Sequence, residues 1–575
     1  MKIDRKLILA GTGLLFVGTA MAQVQQKDST LNRTVVVENQ YNPQVMDAFK
    51  VNVLPKVEEP AVAKKHIDYA TSLSPLTSYG FEPMGVITRD IQQKGARRGY
   101  LRGAYGSSNR TDVKAAYLWD MSERDRLDVM GSFYGHSGDA ELPVEGGGIE
   151  ENQRFYRGNI GLEYTHLFNN VKFNLGGSFA NQVFNYRFVD DGSADKHPDY
   201  TLNSRNQHFL MGDGHLGLQS VEGKHPLDFD VTVGFNGFKR KYFRANMVDF
   251  LQKKIYAQGG VSGALQDDQR VGIDFGVSHL MYTAPDYLAS EGTNSGPLYD
   301  LNNSTLIQLN PYYTIQTENL NVRLGAHVDI QTKVGSGLKV SPDVKLDYTF
   351  CDSYVLYVQA LGGTQQSDFN YLNQVSPYWD QSVQLKPIYT MFDAQAGLKA
   401  SPVNGLGLKL YGGYRFTKYD LFVTTNVYRS FGALLNSQLN QEKSKVFYAG
   451  AGIDYDFRDV FSFGVKGQYN NWKLGNKENI SFLALKPEFT IGANVRTKVY
   501  RGLHALADFR YEKRKKVAGK SLDAVNFLKL GAEYNYTDRV SVYVHANNLL
   551  NRAYLTETGY PELGVNVVGG VSFTF

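Results

Sequence analysis

The sequence predicts an all-β fold: a transmembrane antiparallel β-barrel of about 22 strands over residues 96–575, preceded by an irregular, proline-containing segment. Three observations carry this. From Ala96 to the last residue, runs with apolar side chains at every second position recur, and two is the side-chain period of a strand. Polar turns separate the runs, and short turns tend to alternate with longer connections. The chain stops on Phe575 at the end of such a run. An open sheet would be left with a sticky edge there, whereas a closed barrel pairs its last strand with its first.

Composition fits a wall with one face in lipid and one in a polar lumen. There are 57 Gly, 38 Tyr and 33 Phe, but 3 Trp and 17 Pro, and 42% of residues are hydrophobic. Past the N-terminus no run of 18 apolar residues occurs, so no transmembrane helix is expected. Cys351 is the single cysteine, which excludes an intramolecular disulfide and a cysteine-based metal cluster.

Residues 1–22 read as a secretory signal peptide. Lys2, Arg5 and Lys6 form the basic end, Leu7 to Ala20 the apolar stretch, and Ala20-Met21-Ala22 the small-residue cleavage site. No cysteine follows the cleavage site, so a lipid anchor is not expected there. The net charge of +4 falls to +2 once Lys2, Asp4, Arg5 and Lys6 are removed, a near-balance that argues against a nucleic-acid partner. A secreted barrel of this kind belongs in a bacterial outer membrane, among its lipid and lipopolysaccharide.

Residues 23–95 hold Pro43, Pro55, Pro60, Pro75 and Pro83. Proline lacks the amide an interior strand needs, so this segment is periplasmic or lumenal and not wall. The wall starts at Gly99–Ser107 and Thr111–Met121. Arg126 to His136 follows, with Leu127, Val129, Gly131 and Phe133 on one face. Short turns are expected near Ser122–Asp125, Asn169-Asn170, Gly223–Pro226, Gln266–Gln269, Glu318-Asn319, Asp352-Ser353, Pro402–Gly405, Arg458-Asp459, Tyr500–Gly502 and Asp538-Arg539, all on one side of the membrane. Longer connections are expected at Ala140–Asn152, Asp190–Ser204, Ala284–Asp300, Asn370–Tyr389, Thr425–Gln441 and Thr556–Leu563. Tyr312 and Tyr313, Tyr354 and Tyr357, Tyr411 and Tyr414, Tyr534 and Tyr536, and Phe573 and Phe575 are assigned to interfacial girdles.

The closing stretch carries a family resemblance. Asn548-Leu549-Leu550-Asn551-Arg552-Ala553-Tyr554, then Gly559-Tyr560-Pro561, Gly564 and an alternating strand ending in Phe575 resemble the closing hairpin of TonB-dependent outer-membrane receptors. Val567, Val571, Phe573 and Phe575 resemble the C-terminal signal read by barrel-assembly machinery. Thr34-Val35-Val36-Val37-Glu38 resembles a TonB box, an extended motif that adds a strand to the partner's sheet. The resemblance covers residues 96–575 and implies solute transport across the outer membrane. It fails for the plug domain, since no plug-like motif occurs in the 23–95 segment. The alternative is a non-transporting scaffold subunit of an envelope complex, with another envelope protein in place of TonB.

A barrel this wide needs something in its lumen. The candidates are the proline-rich segment, an inward-folded loop such as Asn370–Tyr389, or a partner. Tyr371, Tyr378, Trp379, Tyr428 and Phe431 on the two aromatic-rich loops are expected as exposed ligand or partner contacts. The mostly basic run Glu512-Lys513-Arg514-Lys515-Lys516 ends a strand toward the outside and reads first as a solvated strand end, with charge attraction to lipopolysaccharide phosphates as the alternative. Glu145-Gly146-Gly147-Gly148 reads as a flexible outer loop. His136, His166, His208, His215, His279, His327, His504 and His545 are scattered, with no H-E-x-x-H or G-x-S-x-G spacing, so no catalytic residue, metal ligand or cofactor is assigned. His208 and His215 differ by an odd number and should face opposite sides.

Overall fold

The computed structural model describes residues 98–575 apart from 143–148, 189–205, 222–226, 243–249, 284–300, 380–383, 429–433 and 517–521 and the single positions 352, 459 and 558. The signal peptide, the 23–95 segment, Thr34–Glu38, Glu145–Gly148 and Phe431 lie outside the described residues. The wall strands are β1 Gly99–Gly106, β2 Thr111–Asp120, β3 Asp125–Leu142, β4 Ile149–Leu167, β5 Val171–Asn185, β6 Asn206–Ser220, β7 Leu227–Tyr242, β8 Phe250–Gln266, β9 Gln269–Thr283, β10 Ser304–Gln316 and β11 Leu320–Gln331. The circuit continues with β12 Gly337–Phe350, β13 Tyr354–Gln365, β14 Ile388–Ala400, β15 Leu406–Tyr428, β16 Leu434–Phe457, β17 Phe461–Leu474, β18 Pro487–Tyr500, β19 Leu503–Arg514, β20 Val525–Asn535, β21 Val540–Asn547 and β22 Asn566–Thr574. Each pairs antiparallel with the next, and β22 returns to β1 with Gly103 opposite Val571. Beyond the last strand, the Phe575 carbonyl accepts from the Arg98 and Gly99 amides at 2.9 and 2.8 Å. The result is a closed cylinder of 22 wall strands, the number read from the sequence.

Alternation sorts the side chains onto two faces. Val542 and Val544 of β21 and Val567, Val571, Phe573 and Phe575 at the C-terminus point outward and are exposed, as are Leu356 and Val358 of β13 and Leu408 and Leu410 of β15. An apolar outer skin on a barrel is the lipid-facing band of an outer-membrane protein. His208 lies 2.5 Å from Asn181 on one face, and His215 lies 3.0 Å from Asp213 on the other, the split their spacing requires.

The girdle assignment holds for only part of its residues. Tyr414, Tyr534, Tyr536, Phe573 and Phe575 are exposed on the outside. Tyr312, Tyr357 and Tyr411 face the lumen, because each differs from its paired tyrosine by an odd number of residues. Several lumenal tyrosines lie flat over a glycine of the next strand. A Cβ at Gly397 would sit 2.5 Å from the Tyr357 hydroxyl, and one at Gly570 would sit 2.5 Å from that of Tyr543. Only a residue without a side chain leaves that room.

Both chain ends of the wall sit on the rim that carries the short turns. The opposite rim carries the longer connections, and there two expectations change. The segments expected as loops at Ala140–Asn152 and Thr425–Gln441 are largely strand. β3 and β4 run on to Leu142 and from Ile149, and β15 and β16 run on to Tyr428 and from Leu434. These hairpins extend past the lipid band because their ladders stay paired to the tip, Leu142 opposite Ile149 and Tyr428 opposite Leu434. A two-residue strand, Arg187–Phe188, leaves β5 and pairs with Leu434 and Leu435 of β16 across the mouth.

Candidate functional site: the inward loop at the barrel mouth

In the connection between β13 and β14, residues 366–387, the described stretch 366–379 turns into the lumen. Its local sequence explains the turn. Asp368 caps a short helix, α1 (Phe369–Val375), by accepting the Tyr371 amide at 2.8 Å. The helix then presents Phe369, Leu372 and Val375 to one side, all buried. Trp379 is fully buried and Tyr378 nearly so.

Polar contacts seat this strap on distant strands. Lys254 of β8 binds the Asp368 carboxylate at 2.9 Å. The Gln252 side-chain carbonyl, also on β8, accepts the Phe369 amide at 2.7 Å. Gln182 of β5 and Asn373 exchange two hydrogen bonds of 3.0 Å. Asn370 meets Asn236 of β7. Gln153 of β4 donates to the Tyr378 hydroxyl at 3.3 Å, and the Ser437 amide of β16 donates to the Tyr378 carbonyl at 3.0 Å. The strap therefore spans the lumen from the β13–β14 edge to the β4–β8 wall.

Its apolar side fills a core within the mouth. Phe184, Phe209, Met211 and Phe238 of the wall pack with Phe369, Leu372, Val375 and Trp379, and Leu421, Val423 and Leu439 of the β15–β16 ribbon close the cluster. Arg240 is sandwiched there, its guanidinium 4.1 Å from the Trp379 ring and 4.9 Å from that of Phe209. Each fully buried aromatic contributes about 1.5–3 kcal/mol by burial alone. Burial also pushes the Tyr371 hydroxyl above its ordinary pKa.

Two further connections fold in beside the strap. Between β17 and β18, a 3-10 turn over Lys477–Leu483 buries Leu483 against Phe422, Val446 and Trp472. Lys486 follows it, its amine 5.1 Å from the Phe422 ring, and burial pushes its pKa down to about 8. The β21–β22 connection holds the Asn548–Tyr554 stretch. Asn548 and Asn551 adopt φ of 49° and 47°, and the Asn548 amide group donates to the Arg552 and Leu563 carbonyls at 3.2 and 2.9 Å. Tyr560 lands on Tyr378 of the strap. Glu562 stands 4.0 Å from Arg110, and burial pushes its carboxyl up to about 7 against the pull of Arg110 and Arg510.

Below this layer the wall is polar. Arg323 bridges Asp274 at 2.9 Å and Asp343 at 2.6 Å while lying 3.7 Å from the Tyr312 ring centre. Arg102 bridges Asp112 and the Tyr543 hydroxyl at 2.9 and 2.6 Å.

The expected contact residues fare unequally. Tyr378 and Trp379 are buried inside the mouth and Tyr371 is half-buried, so they are not the exposed aromatics anticipated. They face inward because the strap uses them as its own core. Tyr428 lies in β15, and its side chain is outside the described residues. In the basic run, Glu512 and Arg514 point into the lumen and are buried, whereas Lys513 is exposed. Strand parity sends alternate charges inward and divides that patch. Sequence reasoning missed Lys254, Gln182, Asn236 and Arg240 because their strap partners lie more than 100 residues away. The legible signal was Asp368 directly ahead of Phe369-Asn-Tyr-Leu, an N-cap followed by a helix-compatible run.

The structure is a large closed antiparallel barrel with an apolar outer skin and a filled mouth. Solved structures share that fold. The FrpB iron transporter from Neisseria meningitidis matches with a TM-score of 0.65 at 10% identity over 84% of this chain and 82% of its own. The siderophore receptor PirA from Acinetobacter baumannii matches with a TM-score of 0.62 at 11% identity over 84% and 81%. The copper transporter OprC matches with a TM-score of 0.61 at 13% identity over 84% and 80%. No protein-family profile and no curated protein sequence matches. The chain thus has the barrel fold of the TonB-dependent siderophore and metal receptors.

Proposed function

We propose that the protein is a gated outer-membrane barrel that admits a solute, with the 366–387 strap as its gate. The observation that carries this is the strap itself. It is joined covalently to the wall only through β13 and β14, is held across the lumen by side-chain contacts that can be broken, and lies above a charged, hydrogen-bonding wall. A solute path needs such a wall below a closure that can be withdrawn. The fold shared with iron and copper transporters supports the same reading. On this reading Thr34–Glu38, whose sequence resembles a TonB box, would be the segment that adds as a strand to TonB, and Val567, Val571, Phe573 and Phe575 would be the outward apolar row read by barrel-assembly machinery.

The test is a reversible tether. In a Cys351→Ser background, Gln182→Cys with Asn373→Cys fixes the strap to β5 on oxidation. Liposome swelling with small neutral solutes should be blocked in the oxidised protein and return on reduction. Equal permeation in both states contradicts the gate.

The fully buried aromatic core of the strap favours a second reading, a permanently closed scaffold subunit. Its mark would be a stable, stoichiometric envelope partner in a detergent pull-down, together with no permeation in either redox state.

A further inference from the structure

The β12–β13 ladder ends at Asp343 opposite Leu361. The next residue of β12, Pro342, has no amide to offer, and Gly363 adopts a φ of 135°. The end of β13 therefore leaves β12, stays paired with β14 alone, and leans over the lumenal faces of β9 to β12. It is caught there. Gln308 of β10 donates to the Thr364 carbonyl at 3.2 Å, and Ser278 of β9 donates to the Gln366 side-chain carbonyl at 2.9 Å. This crossing is the root of the strap. At and beneath it lie six buried side-chain atoms with no hydrogen-bond partner among the described residues: Asp329 Oδ2, Gln331 Oε1, Lys339 Nζ, Ser341 Oγ, Thr364 Oγ1 and Gln366 Nε2. A buried polar atom that nothing ever meets is costly, and six in one patch mark a surface that is met by something.

We propose that this patch is the recognition site for a zwitterionic solute, an α-amino acid, uncovered when the root of the strap lifts; this rests on the gated barrel described above. The charges choose the class of solute. Asp329 of β11 and Lys339 of β12 stand directly opposite each other on their ladder, yet Oδ2 and Nζ are both left without a partner. Each is held back by a neighbour. Gln308 donates to the other Asp329 oxygen, Oδ1, at 3.3 Å. The Lys339 amine lies 5.5 Å from the Tyr389 ring centre, and that ring is fixed by its hydroxyl, which donates to the Val340 carbonyl at 2.7 Å. A carboxylate and an ammonium kept apart in a buried patch suit a molecule that carries both opposite charges. An anion would answer Lys339 and be repelled by Asp329, a cation would do the reverse, and a neutral polyol would leave both charges uncompensated. The solute ammonium would meet Asp329 Oδ2 and Gln331 Oε1, and its carboxylate would meet Lys339 Nζ and Ser341 Oγ. Because Thr364 and Gln366 cover these groups in the closed barrel, a solute that binds them favours the lifted root and so couples recognition to opening.

The test is equilibrium dialysis of the full mature chain in detergent against a radiolabelled mixture of α-amino acids. A variant with residues 369–384 replaced by a short Gly-Ser linker, whose strap no longer holds the root down, should retain the label, and the unaltered protein should retain less. In the linker background, Asp329→Asn and Lys339→Gln should each lower retention at least tenfold, and Lys339→Arg should keep it. N-acetylated amino acids and amino-acid amides each lack one charge, so neither should displace the label. This competition needs no change at the site and stands even where a charge variant fails to fold. Full retention in both charge-removing variants, displacement by the blocked analogues as strong as by free amino acids, or no retention in the linker variant overturns the proposal. The tether between Gln182→Cys and Asn373→Cys reads the gate separately. Permeation that ignores the tether sinks the gate and leaves the binding result standing, whereas a working tether with no retained label sinks the zwitterion site alone.

Discussion

The ring of Tyr378 lies flat on the ring of Tyr560, with centres 3.5 Å apart and planes 4° from parallel. This pair joins the strap to the connection that closes the barrel. Tyr378 also meets Phe184 and Phe155 edge-on. Tyr378→Ala removes all three contacts and opens a void, costing the strap roughly 3 kcal/mol of local stability. Tyr378→Phe keeps the stack and loses the Gln153 hydrogen bond, costing about 1 kcal/mol. Hydrogen exchange of amides 369–379 should quicken in that order, and equal exchange in the two variants contradicts the stacking role.

Lys254 and Asp368 should behave as a coupled pair. Asp368→Asn keeps a capping side chain but strands Lys254 beside a neutral group, and Lys254→Met strands the carboxylate. Each single change should loosen the strap, while the double variant should recover part of the loss. A coupling on the order of 1–3 kcal/mol is expected for such a half-buried contact. Exchange of the Leu372 amide, which bonds the Asp368 carbonyl at 2.9 Å, reports it. Strict additivity would mean that the pair does not hold the strap.

The wall was legible in the sequence because its signal is local. Period-two alternation marks which of Val542 and Tyr543 faces lipid, and short turns mark the rim that holds both chain ends. The girdles were half legible. Tyr411 and Tyr414 differ by three, so one of them had to face the lumen. The loop 370–389 was visible as a candidate filler, but its anchors were not, since Gln182 and Asn373 meet only through closure of the barrel.

Facing decides the cost of a charge on the wall. Val358 points to lipid, and its neighbour by ladder Ala396 does too, whereas Gln395 points to the lumen and accepts from Gln359 at 2.8 Å. Val358→Lys should destabilise the membrane-inserted barrel by about 2–4 kcal/mol, and Gln395→Lys by less than about 1 kcal/mol. Urea titration of folding into lipid vesicles measures both. A similar cost for the two would refute the assigned faces.

Glu562 makes the mouth sensitive to pH. Its carboxyl is pushed up to about 7 from an ordinary 4.5. A raised carboxyl keeps its proton in the fold after the unfolded chain has lost its own. Stability from this group is therefore greatest below about 4.5 and is lost as the pH climbs to about 7, a change on the order of 3 kcal/mol. Exchange of the 548–565 amides, corrected for intrinsic rates, should quicken over that window. Glu562→Gln should flatten the profile, and an unchanged profile in that variant assigns the effect elsewhere.

Single-channel recording in planar bilayers tests the closure of the lumen most directly. The purified mature chain should show brief openings but little steady current, since the free strap withdraws only transiently, and a variant with residues 369–384 replaced by a short Gly-Ser linker should show a large, persistent conductance. A large, constantly open conductance in the intact protein, or no change on removing the strap, would contradict the account.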